Sequence, residues 1–342
     1  MHIIHVNLAR GFRGGERQTV LLIQALAKQD EIGRQTLVCQ PSSPLRAELA
    51  DTPDVEFVNA NHQLAGHWQA GKGGIIHAHE AKAVHWAWLH SVLFRTPYII
   101  TRRVDTPIKR KWSNKVFYRY AHCCVAISNV IAREINALVP RSIFVIASAY
   151  TPVRHNPDVA KKIRDTYPGR FIVGHIGALV DRHKGQRVLL EVARQFEKTY
   201  PEVLFVFFGK GEDEHKLQQE SESLSNVRWL GFKANIGDYM PALDLFAFPS
   251  RNEGLGSVLL DIMSAKVSII ASDVGGIPDI ITHEQTGLLV PPNNAAMLAD
   301  GIKRMMNDSR LRAELSYRAF AQLENYSPDA MAAAYLPLYR SI

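Results

Sequence analysis

Short apolar runs alternate along this chain with longer stretches whose apolar residues recur every three or four positions. The short runs are rich in β-branched and aromatic residues and lack strict in–out alternation. That is the pattern of strands buried on both faces of a parallel sheet. In the first half they are Ile3–Val6, Thr36–Cys39, Glu56–Val58, Gly74–His77, Tyr98–Thr101, Cys123–Ala126 and Ile143–Ile146. In the second half they are Ile172–Ile176, Val203–Phe208, Val227–Leu230, Leu245–Phe248, Ser268–Ala271 and Gly287–Val290. Helices are expected in most intervals, among them Glu16–Lys28, Lys184–Tyr200, Glu212–Leu224, Ser257–Lys266 and Met297–Met306. This alternation predicts an α/β architecture with mainly parallel sheets.

The pattern breaks once. Pro152, Asn156, Pro157, Pro168 and Gly169 punctuate residues 151–170, and the chain then restarts with a second strand–glycine–helix opening. Ile172-Val173-Gly174-His175-Ile176-Gly177 echoes Ile3-Ile4-His5-Val6-Asn7 with its later Gly11, Gly14 and Gly15. The expectation is two Rossmann-like domains, 1–150 and 171–327, joined by a linker at 151–170. Their strands' carboxyl ends would face a shared cleft, where α/β sheets bind ligands. Met331, Tyr335, Leu338 and Tyr339 fall on one helical face, so residues 328–342 are read as a closing helix packed back toward the first domain.

Composition narrows the class. At 342 residues, with 46% hydrophobic and 21% charged, the chain can bury two cores; disordered, collagen-like and coiled-coil readings are excluded. No apolar run approaches the ~18 residues of a membrane span. The opening residues read as a strand, not a signal peptide. Three cysteines, Cys39, Cys123 and Cys124, cannot build a disulfide framework, which fits a reducing cytoplasm. The net charge of +7 sits in one place: residues 1–150 carry 18 Lys/Arg against 10 acids, the remainder 22 against 23. Such asymmetry points to an anionic partner for the first half.

The stretch Pro249-Ser250-Arg251-Asn252-Glu253-Gly254-Leu255-Gly256-Ser257-Val258-Leu259-Leu260-Asp261 follows a buried strand and opens a helix. Gly254 and Gly256 allow close approach of backbone to ligand, and the free N–H groups of a helix start suit a phosphate. Glu253 and Asp261 can face one cleft; the plainer alternative is an acid at a helix N-terminus plus a surface Asp. This stretch resembles the signature of glycosyltransferase family 4, retaining enzymes of the GT-B fold, whose motif is Glu, seven residues, Glu. Other pieces resemble the family in order: Gly14-Gly15-Glu16-Arg17; Gly177-Ala178-Leu179 with Lys184-Gly185; Phe208-Gly209-Lys210-Gly211; Val227 to Gly231; Gly275-Gly276-Ile277-Pro278-Asp279; and Thr286-Gly287-Leu288-Leu289-Val290-Pro291. The resemblance is strongest from Phe171 to Pro292.

The resemblance implies two Rossmann-like α/β/α domains and transfer of a sugar from a nucleotide-diphosphate donor, a UDP-sugar favoured, to a glycan or glycolipid acceptor. Glu253 would contact the donor sugar, with Gly254, Leu255, Gly256 and Ser257 at sugar or phosphate. Arg182 and Lys184 would stabilise the diphosphate, Asp261 would hold the ribose, and Gly14, Gly15, Gly209, Lys210 and Gly211 would line the donor. Departures are visible. Asp261 is one methylene shorter than the family Glu, Ala178 replaces an Arg often found there, and Arg103 stands where many relatives carry His. Arg103 is still counted with Glu253 and Lys184 among the catalytic candidates, but an Arg cannot act as a base at neutral pH. Glu16, Arg17, His79, Arg102, Arg103 and Asp105 would form the acceptor side, unless the arginines merely pair with Asp105.

Other signals are weaker. His77-Ala78-His79-Glu80 hints at a metal pair, but a strand end facing the cleft explains it better. Without an Asp-x-Asp at a strand end, no metal or cofactor is called for. Gly209-x-Gly211 lacks the third glycine of a dinucleotide site, which counts against an NAD enzyme. If Lys109–Tyr120 is helical, Lys111, Lys115 and Arg119 form a basic stripe, and Trp112, Val116, Phe117 and Tyr120 an apolar face. That helix suits an anionic membrane surface or simply packs with a solvated side; no nucleic-acid module accompanies the charge. The expected function is a retaining, metal-independent glycosyltransferase acting on an envelope glycan such as lipopolysaccharide core, cytoplasmic and peripheral on the inner membrane face. A GT-B epimerase or phosphorylase and a non-catalytic binding member are the alternatives.

Overall fold

The computed structural model describes residues 1–152 and 156–342. The chain divides into two units, residues 1–149 with 325–342 and residues 150–324. All thirteen expected strands form, with ends shifted by at most a residue or two.

The first unit holds seven parallel strands: β1 (His2–Val6), β2 (Arg34–Cys39), β3 (Val55–Asn59), β4 (Ile75–Ala78), β5 (Tyr98–Arg102), β6 (Cys123–Ala126) and β7 (Phe144–Val145). Their order is β3-β2-β1-β4-β5-β6-β7. The central strands are buried along their length because helices cover both faces, which is why they read as unbroken apolar runs. The sheet order reverses between β1 and β4, so their carboxyl ends flank a topological switch point. The C-terminal helix Pro328–Arg340 belongs to this unit. Met331, Tyr335, Leu336 and Tyr339 join its core with Ile3, Leu22, Ile99 and Val125. Ser327 caps that helix by accepting from the Ala330 N–H at 3.1 Å, and Arg340 forks onto Glu31 at 2.8 and 2.5 Å.

The second unit holds β8 (Phe171–Ile176), β9 (Val203–Phe208), β10 (Val227–Gly231), β11 (Leu245–Phe248), β12 (Ser268–Ser272) and β13 (Leu288–Val290). All are parallel, in the order β10-β9-β8-β11-β12-β13, and the switch point lies between β8 and β11. Its core is built from Phe196, Phe205, Phe207, Leu245 and Ile302.

Two expectations need correction. The segment read as a linker carries the helix Pro157–Thr166, capped by Asn156 with Pro at its first turn, and belongs to the second unit. Proline and glycine there mark helix ends rather than slack chain. The basic helix begins at Trp112, not Lys109, with Lys111 as its N-cap.

Candidate active site

In the second unit the loops after β8 and β11 meet at the switch point. Val180 leads into the turn Asp181–Lys184, which ends at Gly185 with φ +66°; a Cβ there would lie 2.1 Å from the Pro249 carbonyl oxygen. Only glycine lets the Lys184 turn press so closely on the Glu253 loop. Gly275, φ +61°, does the same from the other side: its Cβ would sit 2.0 Å from the Glu253 carbonyl oxygen.

These approaches place Lys184 Nζ on Glu253 Oε1 as an ion pair, with side chains only 23% and 11% exposed. Ser250 Oγ donates to the same carboxylate oxygen at 3.2 Å. Lys184 Nζ also stands 5.2 Å over the Phe248 ring, a cation–π contact from β11. A second network fixes the two loops. Arg251 Nη1 donates to Asp181 Oδ2 at 2.8 Å, and the Arg251 N–H to the His183 carbonyl at 2.8 Å. Arg187 holds Asp181 at 3.0 Å and forks onto Glu220 at 2.8 and 2.9 Å. Burial raises the Asp181 carboxyl, but the Arg187 N–H and the Arg251 and Arg187 guanidinium groups outweigh it and hold the group below its usual range. Under the site, His175 donates from Nδ1 to the Ala247 carbonyl at 3.0 Å. Burial pulls its pKa down to about 4, aided by nearby Lys184, so the ring is neutral.

In the first unit, three buried histidines gather at the switch point. His5 of β1 and His77 of β4 are register partners, and His79 follows β4. Their ring nitrogens come within 4.8 Å of one another. His77 Nδ1 pairs with the Tyr339 hydroxyl and His77 Nε2 with Thr101 Oγ1, both at 2.7 Å, and Thr101 meets the Tyr335 hydroxyl at 2.8 Å. His5 Nε2 meets Gln35 Oε1 and His5 Nδ1 meets His79 Nε2, both at 3.0 Å. Burial lowers all three pKa values, His5 to about 4. Five of the six ring nitrogens are thus committed, the opposite of an open set of metal ligands. The His-x-His pair is accompanied by a third histidine from another strand, which the sequence spacing did not reveal.

Glu16 is buried at the start of the helix Gly14–Leu26 and accepts from the Arg13 N–H at 2.9 Å. Arg103 stacks its stem near Gly15, whose Cβ would lie 3.7 Å from Arg103 Cδ. Burial lowers the Arg103 pKa, opposed by Tyr335, Glu16 and Tyr339. Glu80 is structural: it caps the next helix, accepting from Lys82 and Ala83, and ties down the Leu8 N–H.

The candidates named from sequence therefore separate. Glu253 and Lys184 come together, and Gly254, Leu255, Gly256 and Ser257 follow Glu253 into the next helix; Glu16, His79 and Arg103 gather in the first unit. Gly209, Lys210 and Gly211 follow β9, with Lys210 5.0 Å over the exposed Phe232 ring. Arg182 is 70% exposed and faces Glu212 at 3.4 Å. Asp261 Oδ1 accepts from the Thr151 N–H at 2.8 Å, so this acid already anchors the incoming chain. Arg17 is exposed and lies over Phe12, 5.2 Å from the ring, outside the histidine cluster. Arg102 donates to the Thr106 carbonyl, and among the described residues Asp105 forms no ion pair with either arginine. The apolar face assigned to the basic helix divides. Phe117 packs on His85 and Trp88, whereas Trp112 and Tyr120 stand 80% and 70% exposed beside Lys111, Lys115 and Arg119. Sequence reasoning passed over His5, Gln35, Thr101, Tyr335 and Tyr339. A polar residue inside each apolar run, His5 in Ile3–Val6 and His77 in Ile75–Ala78, was the available signal.

Comparison with known proteins places this geometry. A family profile described as "Glycosyl transferases group 1" matches residues 158–322. The chain is 30% identical to the lipopolysaccharide core biosynthesis glycosyltransferase LpsD of Rhizobium meliloti, over 99% of this chain and 98% of that one. It is 24% identical to the phosphatidyl-myo-inositol mannosyltransferase of Mycolicibacterium smegmatis, covering 96% and 90%. Among solved structures, Anabaena Alr3699/HepE in complex with UDP and glucose superposes with a TM-score of 0.86 at 19% identity over the full length of both chains. The lipopolysaccharide outer core galactosyltransferase WaaB superposes at 0.75, with 17% identity and full coverage of both chains.

Proposed function

The chain belongs to the group 1 glycosyltransferases and has the GT-B fold. From that premise we propose that it transfers a sugar, with retention of anomeric configuration and without a divalent metal, from a UDP-sugar to a cell-envelope glycan of the lipopolysaccharide-core type. The observation that carries this reading is the Lys184–Glu253 pair at the switch point of the second unit. LpsD supports the acceptor class, and the UDP-bound HepE structures support the nucleotide.

The chemistry follows from charge. As the donor's glycosidic bond breaks, the sugar gains positive character and the departing diphosphate gains negative charge. A preorganised cation and anion stabilise both at once. Lys184 supplies the positive charge to the diphosphate, a role a metal fills in other glycosyl transfers. Glu253 faces the sugar, its carboxylate paired with Lys184 and oriented by Ser250. Arg251, Asp181 and Arg187 hold the two loops in register, so little reorganisation remains for the reacting state. With Arg182 turned toward Glu212, Lys184 carries most of this duty. The acceptor binds in the first unit at Arg103, Glu16 and His79. Trp112, Tyr120, Lys111, Lys115 and Arg119 form a basic, aromatic-edged surface suited to the anionic cytoplasmic face of a membrane, where a lipid-borne acceptor would be met.

A panel of nucleotide sugars incubated with deacylated core oligosaccharide tests the reading. The expected product is a new glycosidic linkage with the donor's anomeric configuration, read by proton NMR, formed in the presence of chelator. Conversion of the nucleotide sugar without acceptor, or inversion at the anomeric carbon, would overturn it.

A further inference from the structure

The histidine cluster has a direction, and the direction can be read from its far end. Gln35 Nε2 donates to the Ile23 carbonyl at 3.0 Å, and a carbonyl can only accept, so the amide of Gln35 is oriented. Its Oε1 therefore faces His5 Nε2 as an acceptor, at 3.0 Å, which requires the proton of neutral His5 on Nε2. His5 Nδ1 is then a lone pair and accepts from His79 Nε2–H at 3.0 Å. Neutral His79 is left with a lone pair on Nδ1. That atom is buried, on a residue 2% exposed, and has no partner among the described residues.

Arg103 supplies the complement. Its Nε and Nη2 are buried donors without an acceptor among the described residues, and its charge acts directly on His79. An unpaired acceptor beside unpaired donors matches a group that both gives and takes a hydrogen bond. A hydroxyl does so: its hydrogen reaches His79 and its oxygen takes Arg103. A carboxylate or phosphate would satisfy Arg103 but set its own lone pairs against that of His79, at the cost of leaving a buried polar atom unmatched.

Resting on the glycosyltransferase reading, we propose that His79 Nδ1 accepts a hydrogen bond from a hydroxyl of the sugar acceptor while Arg103 donates to the same oxygen, and that Gln35 and His5 are positioning residues that hold His79 in the required tautomer. Burial, with the Arg103 charge beside it, keeps His79 neutral across the ordinary pH range, so it orients the hydroxyl and does not take its proton. The recognition is for a neutral hydroxyl at this point even where the acceptor carries anionic groups elsewhere.

Nitrogen-15 NMR of the histidine-labelled full chain tests this, with His79 assigned by its loss in His79→Gln. Wild type is expected to show His79 protonated at Nε2 and bare at Nδ1. In Gln35→Leu, where the relay loses its anchor, a mixture of tautomers is expected. In Gln35→Glu, observed with the buried acid protonated, the O–H donates to the Ile23 carbonyl and the other oxygen accepts from His5 Nε2–H, so the wild-type tautomer returns. In transfer to deacylated core oligosaccharide, Gln35→Leu should raise the acceptor KM roughly five- to tenfold, the worth of one hydrogen bond. Hydrolysis of the donor by water should be unchanged. His79 protonated at Nδ1 in the wild type, or a Gln35→Leu tautomer and KM equal to wild type, would overturn the proposal. If Gln35→Leu does not fold, the wild-type spectrum alone decides the tautomer. Absence of any nucleotide-sugar turnover by wild type would sink the transferase reading instead, and the tautomer measurement would stand apart from it.

Discussion

At the scale of single residues the proposed chemistry rests on one largely covered ion pair. Lys184 and Glu253 are mostly covered yet face one another, so removing one partner strands the other charge. Glu253→Gln keeps the shape and the Ser250 contact but loses the charge beside the developing sugar cation. Turnover should fall on the order of a hundredfold or more, with nucleotide affinity retained, as measured by steady-state kinetics beside calorimetry. His175 gives a pH signature. Burial holds its folded pKa near 4, below the unfolded value of 6.5, so the unfolded chain binds a proton first as pH falls. The stability owed to neutral His175 is fully present above pH 6.5 and is lost as pH falls toward 4, about 3 kcal/mol in all. Urea unfolding of wild type and His175→Gln at several pH values checks this. The variant should lose less stability than wild type between pH 6.5 and 4.5, and equal slopes would remove the assignment.

Elements carry the next level, where periodic patterns were legible and long-range contacts were not. Strands were legible because a strand covered on both faces must be apolar throughout, as Val203–Phe208 is. The closing helix was legible from Met331, Tyr335, Leu338 and Tyr339 on one face. Its polar role was not, because the Tyr339 hydroxyl meets His77 across 262 positions and no local pattern records such a pairing. Arg182 and Lys184 read alike in sequence; only the turn ending at Gly185 separates an exposed cation from a buried one. Gly185→Ala should therefore act on the donor loop. Its Cβ would need the space of the Pro249 carbonyl oxygen in a backbone region unfavourable to alanine. Nucleotide binding should weaken at least tenfold while the first unit stays folded, which calorimetry with far-UV dichroism would show. At the basic helix, changing Lys111, Lys115 and Arg119 together to Gln should reduce partitioning to anionic vesicles roughly a hundredfold at low salt. Co-sedimentation equal to wild type would make that stripe an ordinary solvated face.

At the scale of the whole molecule, each unit places its proposed functional cluster at the point where its sheet order reverses, β1 beside β4 and β8 beside β11. The sequence announced the second cluster through contiguous glycines and acids. It hid the first, whose members come from four strands, a helix start and the last helix. The division of charge has a counterpart in these clusters: Arg103 and the basic helix lie in the unit assigned to the acceptor, while the donor unit is close to neutral. On the proposed match of Lys184 to the diphosphate, activity should survive a chelator with little loss. A strict manganese or magnesium requirement would reassign that role. The most direct test of the account is transfer of labelled sugar from a UDP-sugar to core oligosaccharide by wild type, Glu253→Gln and Lys184→Ala. The account predicts a retained-configuration product from wild type, little from Glu253→Gln despite intact UDP binding, and loss of both product and UDP affinity in Lys184→Ala. Wild-type rates in both variants would contradict it.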